Sequence, residues 1–385
     1  MFVASLDETS NTSDENDDQR IVSSSEPELR SSSLLCSSVV KGDLPTHVHK
    51  WTKRHIEKYL NMYYESEYLD SPVDILEKIQ TIKPLDTEQT AFIDNVKAYL
   101  HFDASYKQYD ETYNFYTIEG GLKETLEGVI LKLHKQPARD ELLKFKVSRF
   151  LKCLHNYMRD IEALRSQHQI YEGICTQLIG SFAEMCCIEA VQCSTENQSI
   201  WNNLRGTKVI VSKPDLRFYK SGIQDSKHFG DAEMLVAVMS GVNNAVKQSS
   251  QRSEKRLESF SSQHSSTSEH SEKADKPQIA IDLNTNVLGQ HAGELLLDLD
   301  RFRVKKTMFA NEDYIMTMPG MIVSGTQVFF TLLEMKRSHH RKLKYNDQLD
   351  RGKDKAKIYY ARPLDILVEN ERCILIESLM RLNNI

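Results

Sequence analysis

Hydrophobic positions along this chain follow two patterns, helical spacing in some stretches and short continuous runs in others. Apolar residues at every third or fourth position predict amphipathic helices. Start and stop signals support two of them, because Ser71-Pro72 opens one stretch and Pro137 closes another. The predicted helical stretches are 49–69, 71–82, 87–109, 122–136, 138–169, 170–192, 279–301 and 363–385.

Runs rich in β-branched and aromatic residues predict strands at 207–211, 216–219, 234–239, 321–323 and 327–333. The first two are predicted to form a hairpin through Ser212–Asp215, and the last two a hairpin that turns at Ser324–Gly325. The run 234–239 is apolar at every position, which predicts a strand covered on both faces. Together the patterns predict an α/β fold with a mixed central sheet flanked by helices.

Shifts in composition divide the chain. Residues 1–44 are rich in Ser, Asp and Glu, and a chain of that composition cannot bury enough apolar surface to fold, so we expect a disordered tail. A second stretch of similar composition, 243–277, is expected to be a disordered insertion in a surface loop. Between and after them we predict a helical region at 45–168 and an α/β domain at 169–385.

The bulk chemistry of the chain sets limits on its function. The net charge of -6 gives no overall attraction to nucleic acid, so such binding would need a local basic patch. The 7 cysteines show no CxxC pair and no Cys/His zinc spacing, as expected of reduced thiols inside a cell. We find neither a secretory signal nor an apolar run of about 20 residues, and expect a soluble intracellular protein, nuclear or cytoplasmic, with no membrane partner.

Three polar positions stand out against their apolar surroundings. Glu184 lies on the apolar helical stretch 170–192, where an acid is costly to bury without a partner. Asp215 follows Pro214 between two predicted strands. Gln290 lies on the helical stretch 279–301, four residues before Glu294.

The order of these features resembles the PD-(D/E)XK nuclease-like superfamily over roughly 170–333. The shared order is a helix with an acid, a hairpin with Pro-Asp, a central strand, a helix with Gln and a further strand. The resemblance implies a restriction-endonuclease-like fold. It also implies that an Asp at the hairpin, with a Glu or Asp and a Lys on the next strand, holds Mg²⁺ for phosphodiester hydrolysis.

Residue by residue, the resemblance makes Asp215 the first acid, Glu184 the helix acid of some members and Gln290 the helix glutamine. The strand that should end in Glu-x-Lys has Val238 and Ser240 at those positions instead. Glu233, which opens the same strand, is a candidate for the missing carboxylate, although Leu235 then stands where the lysine should be.

The resemblance therefore predicts a degenerate centre, which if active would be that of a Mg²⁺-dependent nuclease. Asp215, Glu184 and Glu233 are the candidate catalytic residues, and Asp215 and Glu184 the candidate metal ligands. A literal Glu-x-Lys does occur at Glu334-Met335-Lys336, but it follows the Gln290 helix instead of preceding it.

Two other functions stay open. The chain could be a non-catalytic protein that binds protein partners through its helical N-terminal region, where aromatic residues cluster between Tyr106 and Tyr116. It could also bind nucleic acid through a basic run that follows the last predicted strand. The basic residues of that run are Lys336, Arg337, Arg341, Lys342 and Lys344.

Overall fold

The computed structural model describes residues 44–79, 82–102, 128–129, 131, 141–165, 172–193, 200–221, 234–241, 276–300 and 313–385. Several predictions fall outside these ranges. They are the tail, nearly all of the insertion 243–277, the aromatic cluster from Tyr106 to Tyr116, and Glu233.

Nine helices lie within the described ranges, together with a 3₁₀ turn at Val48–Lys50. Capping boxes fix three of their starts: Thr52 with His55 at α1, Ser71 with Asp74 at α2, and Asp86 with Gln89 at α3. The helices are α1 Lys53–Leu60, α2 Pro72–Glu77, α3 Thr87–Tyr99, α4 Glu141–Arg165, α5 Glu172–Met185, α6 Ile279–Asp282, α7 Thr285–Asp298, α8 Arg337–Tyr345 and α9 Glu369–Leu382.

The described strands are β1 Met62–Tyr64, β2 Ile188–Gln192, β3 Ile200–Leu204, β4 Thr207–Ser212, β5 Leu216–Lys220, β6 Met234–Gly241, β7 Ile315–Ser324, β8 Gln327–Lys336, β9 Ala356–Tyr360 and β10 Leu364–Asp365. The main sheet has the order β1-β9-β8-β7-β6-β5-β2, with β10 added on β8, while β3 and β4 form a separate pair. The pairs β1/β9 and β6/β7 are parallel, and the remaining pairs are antiparallel. The predicted α/β class, with a mixed sheet and flanking helices, is confirmed.

The sheet is buried on both faces, and β8 shows this within one strand. Val328, Phe330 and Leu332 belong to a core that includes residues of α2, α3, α4, α5 and α9. The alternate residues Phe329, Leu333 and Met335 belong to a second core with residues of α1, α7 and α8. Because successive side chains of a strand point to opposite faces, a strand buried on both sides has a continuous apolar sequence.

The hairpin predicted at 207–219 is wrong. β4 pairs with β3, whereas β5 pairs with β2 on one side and β6 on the other. Both partners, β2 and β3, were missed because 188–192 continues the apolar pattern of α5 and 200–204 was interpreted as part of a polar turn. Cys187, with a positive φ of 59°, separates α5 from β2. The second predicted hairpin is confirmed as β7 and β8, which pair from Ile315↔Lys336 to Ser324↔Gln327.

The first part of the chain contributes to the same sheet as the second. β1, from the predicted helical region 45–168, pairs in parallel with β9 near the end of the chain. Residues of α2, α3 and α4 share one apolar core with α5 and α9. Helix α7 lies on the other face, between the sheet and residues 48–52.

Candidate functional site

Three polar side chains form a stripe along helix α7, most of whose other positions are apolar. Gln290, Glu294 and Asp298 follow at four-residue spacing, which places them on one side of the helix. Glu294 is 1% exposed and Asp298 is 0% exposed. Since burying an acid is costly unless it is paired or neutral, each of these carboxyl groups needs a partner or a proton.

Strand β5 and its N-terminal flank supply another acid and a cation. Asp215 immediately precedes β5 and Arg217 lies two residues later, so both are on one face of the strand. The Arg217 Nε donates to Asp298 Oδ2 at 3.2 Å. Its Nη1 donates to Cys193 Sγ at 3.3 Å, and the Cys193 backbone N–H donates to the Asp215 carbonyl oxygen at 3.0 Å. Arg217 therefore connects β5 to α7 and to the end of β2.

The electrostatics of Glu294 reflect this crowding. Burial raises the pKa of Glu294 well above its ordinary value, and the Asp215 carboxylate raises it further. A hydrogen bond from Gln290 lowers this pKa, Asp298 raises it and Arg217 lowers it. The effects that raise the pKa are larger than those that lower it, so Glu294 holds a proton at a pH where an exposed glutamate has lost it.

One oxygen of Glu294 has no hydrogen-bond partner. Gln290 Nε2 donates to Oε1 at 2.9 Å, while within the described part of the chain Oε2 is buried and makes no hydrogen bond. A buried carboxyl oxygen without a partner is costly.

Glu184, the predicted helix acid, lies in a different cluster. It forms an ion pair with Arg149 of α4 near the end of α5. Burial raises the pKa of Glu184, Arg149 and Lys146 lower it, and Glu189 raises it. The buried residues of α5 belong to the core on one face of the sheet and those of α7 to the core on the other face, so the sheet lies between the helix of Glu184 and the α7 stripe.

Strand β6, which lies beside the Asp215 end of β5, lacks the acid and the lysine that the resemblance implies. Leu216 pairs with Val238 and Arg217 with Ala237, which puts β6 beside the Asp215 end of β5. Within Met234–Gly241 there is neither an acidic residue nor a lysine. The Val238 and Ser240 that replace the expected Glu and Lys thus lie on the strand that pairs with β5.

The literal Glu-x-Lys of Glu334-Met335-Lys336 lies far from Asp215. The paired row that contains Leu216 runs through Val238 and Met321 to Phe330, and Asp215 lies on the side of this row away from Glu334. With about 3.3 Å per residue and about 4.8 Å between neighbouring strands, Glu334 lies about 16 Å from Asp215 along the strand direction and about 14 Å from it across the strands. It pairs instead with Lys357 of β9.

The predicted basic run is largely paired with acids. Lys342 Nζ lies 3.0 and 2.8 Å from the two oxygens of Asp354, and Lys344 forms an ion pair with Asp300. Lys336 Nζ lies 3.8 Å from Asp313. The remaining members, Arg337 and Arg341, also have partners. Most of the positive charge that the sequence places here is therefore balanced by neighbouring carboxylates.

Sequence reasoning located Asp215 and Gln290 but missed Arg217 and Asp298 and gave Glu294 no role. A usable signal was the spacing of Gln290, Glu294 and Asp298 on a helix most of whose other positions are apolar. A second signal was the i,i+2 spacing of Asp215 and Arg217 at the start of a strand. Neither signal reveals which cation pairs with which acid, because that depends on contacts between distant segments.

Mg²⁺ often binds through one or two carboxylates and keeps several waters. Across the described ranges, no group of three or more His, Cys, Asp or Glu side chains is placed to hold a metal ion.

Among the helices described, none has the length and apolar character needed to cross a membrane. No protein-family model matches the chain, and no curated protein sequence matches it either.

Proposed function

We propose that the α/β domain predicted at 169–385 is a PD-(D/E)XK-like, restriction-endonuclease-like domain with a degenerate centre. In this proposal the domain retains slow, divalent-metal-dependent processing of nucleic acid. The carrying observation is that Asp215 heads the second strand of a helix–strand–strand–strand–helix–strand series and acts electrostatically on the buried Glu294.

The connectivity of the sheet supports the proposal. Helix α5 is followed by β2, β5 and β6, which are adjacent and antiparallel, and then by α7 and β7, which lies parallel to β6. The resemblance implied a hairpin of β4 with β5; in its place β2 pairs with β5, and β3 and β4 form a separate pair that lies between them in the sequence. The Asp of the Pro-Asp step precedes the second strand, and Gln290 lies on the following helix.

In this proposal, Asp215 and Glu294 hold the divalent cation. A bound Mg²⁺ or Mn²⁺ lowers the pKa of water and stabilises a leaving oxygen in phosphodiester hydrolysis. Gln290 keeps one Glu294 oxygen in place through its 2.9 Å hydrogen bond, which leaves the other oxygen for the cation. The Asp215 backbone is fixed by the Cys193 N–H.

The proposed activity is weak because β6 supplies neither a second carboxylate nor a lysine. Without that lysine, no cationic side chain of β6 orients the attacking water. The acid that replaces the strand carboxylate comes from α7 and binds a proton strongly, so a cation must displace that proton.

Metal binding and cleavage by the purified full chain test the proposal. We expect Mn²⁺ to bind, measured by the loss of the electron paramagnetic resonance signal of free Mn²⁺, and supercoiled plasmid to be nicked slowly in Mg²⁺ or Mn²⁺. Asp215→Asn and Glu294→Gln should weaken both, the nicking rate by about 100-fold or more, because several kcal/mol of charge stabilisation is lost.

Matched controls are available on α3. Asp94→Asn and Glu88→Gln remove exposed carboxylates by the same chemistry and should leave binding and nicking unchanged. Failure of the wild-type chain to bind Mn²⁺ or nick DNA would contradict the proposal. Nicking that persists in Asp215→Asn would contradict the role of this site.

A further inference from the structure

Arg205 is a buried cation whose environment contains no acidic partner among the described residues. It is 5% exposed and lies at the turn between β3 and β4. Burial lowers the pKa of Arg205, and no carboxylate in the described part of the chain raises it again. Arg217, the buried arginine of β5, has Asp298 at 3.2 Å instead. Since a buried charge is costly unless it is paired, the guanidinium of Arg205 needs an anionic partner.

The turn that contains Arg205 packs on the C-terminal end of α8. Arg205 and Gly206 have positive φ angles of 52° and 81°, as in the two-residue turns that join antiparallel strands. The Arg205 backbone N–H donates to the Leu343 carbonyl at 2.9 Å, and its Nη1 donates to the Asp347 carbonyl at 2.7 Å. A Cβ added at Gly206 would lie 2.9 Å from Asn346 Nδ2. These contacts hold both the backbone and the guanidinium of Arg205 in place.

Two donors of Arg205 have no acceptor. Its Nε and Nη2 are buried and make no hydrogen bond to any residue that the structure describes. Nε and Nη2 lie on one edge of the planar guanidinium, and one N–H of each points in the same direction. Such an edge binds the two oxygens of a carboxylate side by side. The contact with the Asp347 carbonyl occupies Nη1 and leaves this edge unused.

The surroundings of this edge favour a small ligand with one negative charge. Arg205 supplies one positive charge, while the carbonyls at the C-terminal end of α8 carry negative partial charge and oppose a second negative charge on the ligand. Asn346 Oδ1 is also buried without a hydrogen bond, and a half-turn of the amide presents a donor in its place. Because the edge is buried, a small molecule reaches it more easily than a peptide chain does.

We infer that the Nε and Nη2 edge of Arg205 is a binding site for a small monocarboxylate, whose two oxygens accept one hydrogen bond from each nitrogen. The ligand supplies both the missing acceptors and the missing negative charge. The site shares no residue with the proposed cation site, so the inference does not rest on the proposed function.

Acetate is the probe, and saturation-transfer difference NMR of its methyl signal with the full chain at pH 7 and constant ionic strength measures its binding. We expect saturable binding to the wild-type chain. Arg205→Met should raise the dissociation constant by about tenfold or more, because a charge-assisted pair of hydrogen bonds is lost. Arg205→Lys keeps the charge without the planar fork and should raise it by about threefold or more.

A matched control is available in the loop that follows Asp347. Arg351 is exposed, and Arg351→Met should leave the dissociation constant for acetate at the wild-type value. Circular dichroism establishes which variants are folded, and Arg205→Lys keeps the test available if Arg205→Met does not fold.

Three outcomes overturn the inference. They are no saturable binding of acetate to the wild-type chain, equal dissociation constants for wild type and the folded Arg205 variants, and tighter binding of inorganic phosphate than of acetate in competition. In the first two cases a buried water is the partner of the two donors. Each outcome leaves the proposed function standing, because Mn²⁺ binding and plasmid nicking test that function independently.

Discussion

Glu294 is the residue whose environment departs furthest from that of an ordinary carboxyl group. Burial and the Asp215 carboxylate both raise its pKa well above the usual value. A group whose pKa is raised on folding contributes stability below its unfolded pKa, and that contribution is lost as pH rises toward the folded pKa. Glu294 therefore lowers stability progressively above about pH 4.5.

Glu294→Gln should remove this pH dependence while keeping a side chain of similar shape beside Gln290. We expect the variant to unfold at a higher temperature than wild type at pH 8, by a few degrees, and the difference to shrink toward pH 5. Thermal unfolding of metal-free protein across this range provides the measurement. The exposed Glu88→Gln of α3 is the control and should show no such trend. A difference that is constant with pH would contradict the buried, protonated state.

At the scale of single residues, the sequence predicted which acidic side chains have unusual surroundings better than it predicted which residues they contact. Asp215 was singled out by the Pro-Asp step, and its carboxylate raises the pKa of Glu294 on α7. Glu184 was singled out because it is an acid on an apolar helix, yet its partner is Arg149 of α4. Both expectations were based on the apolar character of the neighbouring sequence. Which residue each acid contacts depends on how α4, α5 and α7 pack on the sheet, and a local sequence pattern does not predict that packing.

Helix α7 approaches the start of the described chain through two glycines on one side. A Cβ added at Gly289 would overlap the backbone of Thr52, and one added at Gly293 would lie 2.5 Å from Val48 Cγ1 and 2.7 Å from Trp51 Cε3. The backbone of Thr52 cannot move aside by rotating about a side-chain bond, as the side chains of Val48 and Trp51 can. The close approach explains why a helix of this burial has glycine at both positions.

Gly289→Ala should destabilise the protein by about 3 kcal/mol or more, and Gly293→Ala by about 1–3 kcal/mol, because both overfill a packed contact. Gly173→Ala, in open space on α5, should be neutral or stabilising by about 0.5 kcal/mol since alanine favours helix. Urea unfolding of the three variants measures these differences. Equal losses at positions 289 and 293 would contradict the backbone contact.

Arg372 fixes the start of α9 to the residues that end α3. Its Nη1 donates to the Ile366 carbonyl at 2.8 Å, and its Nη2 donates to the Leu100 carbonyl at 2.7 Å and to the Phe102 carbonyl. Its guanidinium also lies 4.2 Å from the centre of the Phe102 ring. The side chain is fully buried, and the Ile366 and Phe102 carbonyls accept from it, while the Leu100 carbonyl also accepts the Phe102 backbone N–H at 2.9 Å.

Arg372→Met should cost about 3 kcal/mol or more, because it leaves several buried carbonyls without a donor. Arg381→Met is the control on the same helix. It removes only a partly exposed i,i+4 pair with Glu377 and should cost less than about 0.5 kcal/mol. Urea unfolding distinguishes the two, and a loss below about 1 kcal/mol at Arg372 would argue against the carbonyl contacts.

Among the elements, those buried on both faces were the easiest to predict. β7 and β8 have long apolar runs around a Ser-Gly turn, and their pairing followed from neighbouring positions in the chain. β2 and β3 are short and their partners are distant in sequence or hidden in a polar segment. A short apolar run next to a helix does not reveal by periodicity where the helix ends.

For the whole molecule, the sequence predicted the class of fold but not the connection between its first and last parts. β1 pairs with β9 across almost the whole length of the described chain. A three-residue strand has too little sequence for a pattern, and its place at the sheet edge is determined by the packing of α1 and α7. Contacts of such long range lie beyond any argument from spacing.

Three buried histidines on one side of the sheet link the stability of the whole molecule to pH. Burial lowers the pKa of His291 to about 3 and those of His339 and His340 to about 4. His291 shares a 2.7 Å hydrogen bond with Thr331, and His339 Nε2 donates to the Leu60 carbonyl at 2.9 Å. All three are therefore neutral in the folded protein at neutral pH.

The sign of the effect follows from the unfolded chain, where histidine has a pKa of about 6.5. Above that pH neither state binds the protons and stability is full; below it the unfolded state binds them first, so stability falls as pH decreases toward about 4. Each histidine lowers the free energy of unfolding by about 1.4 kcal/mol per pH unit as the pH falls, which makes about 4 kcal/mol per pH unit for the three. Above pH 4.5, Glu294 acts in the opposite direction and cancels the contribution of about one histidine.

We expect the free energy of unfolding in urea to fall by about 2–3 kcal/mol per pH unit between pH 6 and pH 5. His340→Asn should reduce this slope by about 1.4 kcal/mol per pH unit, because one linked proton is removed. His101→Asn changes a side chain that is 81% exposed and should leave the slope unchanged. A free energy of unfolding that stays constant from pH 7 to pH 5 would show that these histidines are not held neutral by the fold.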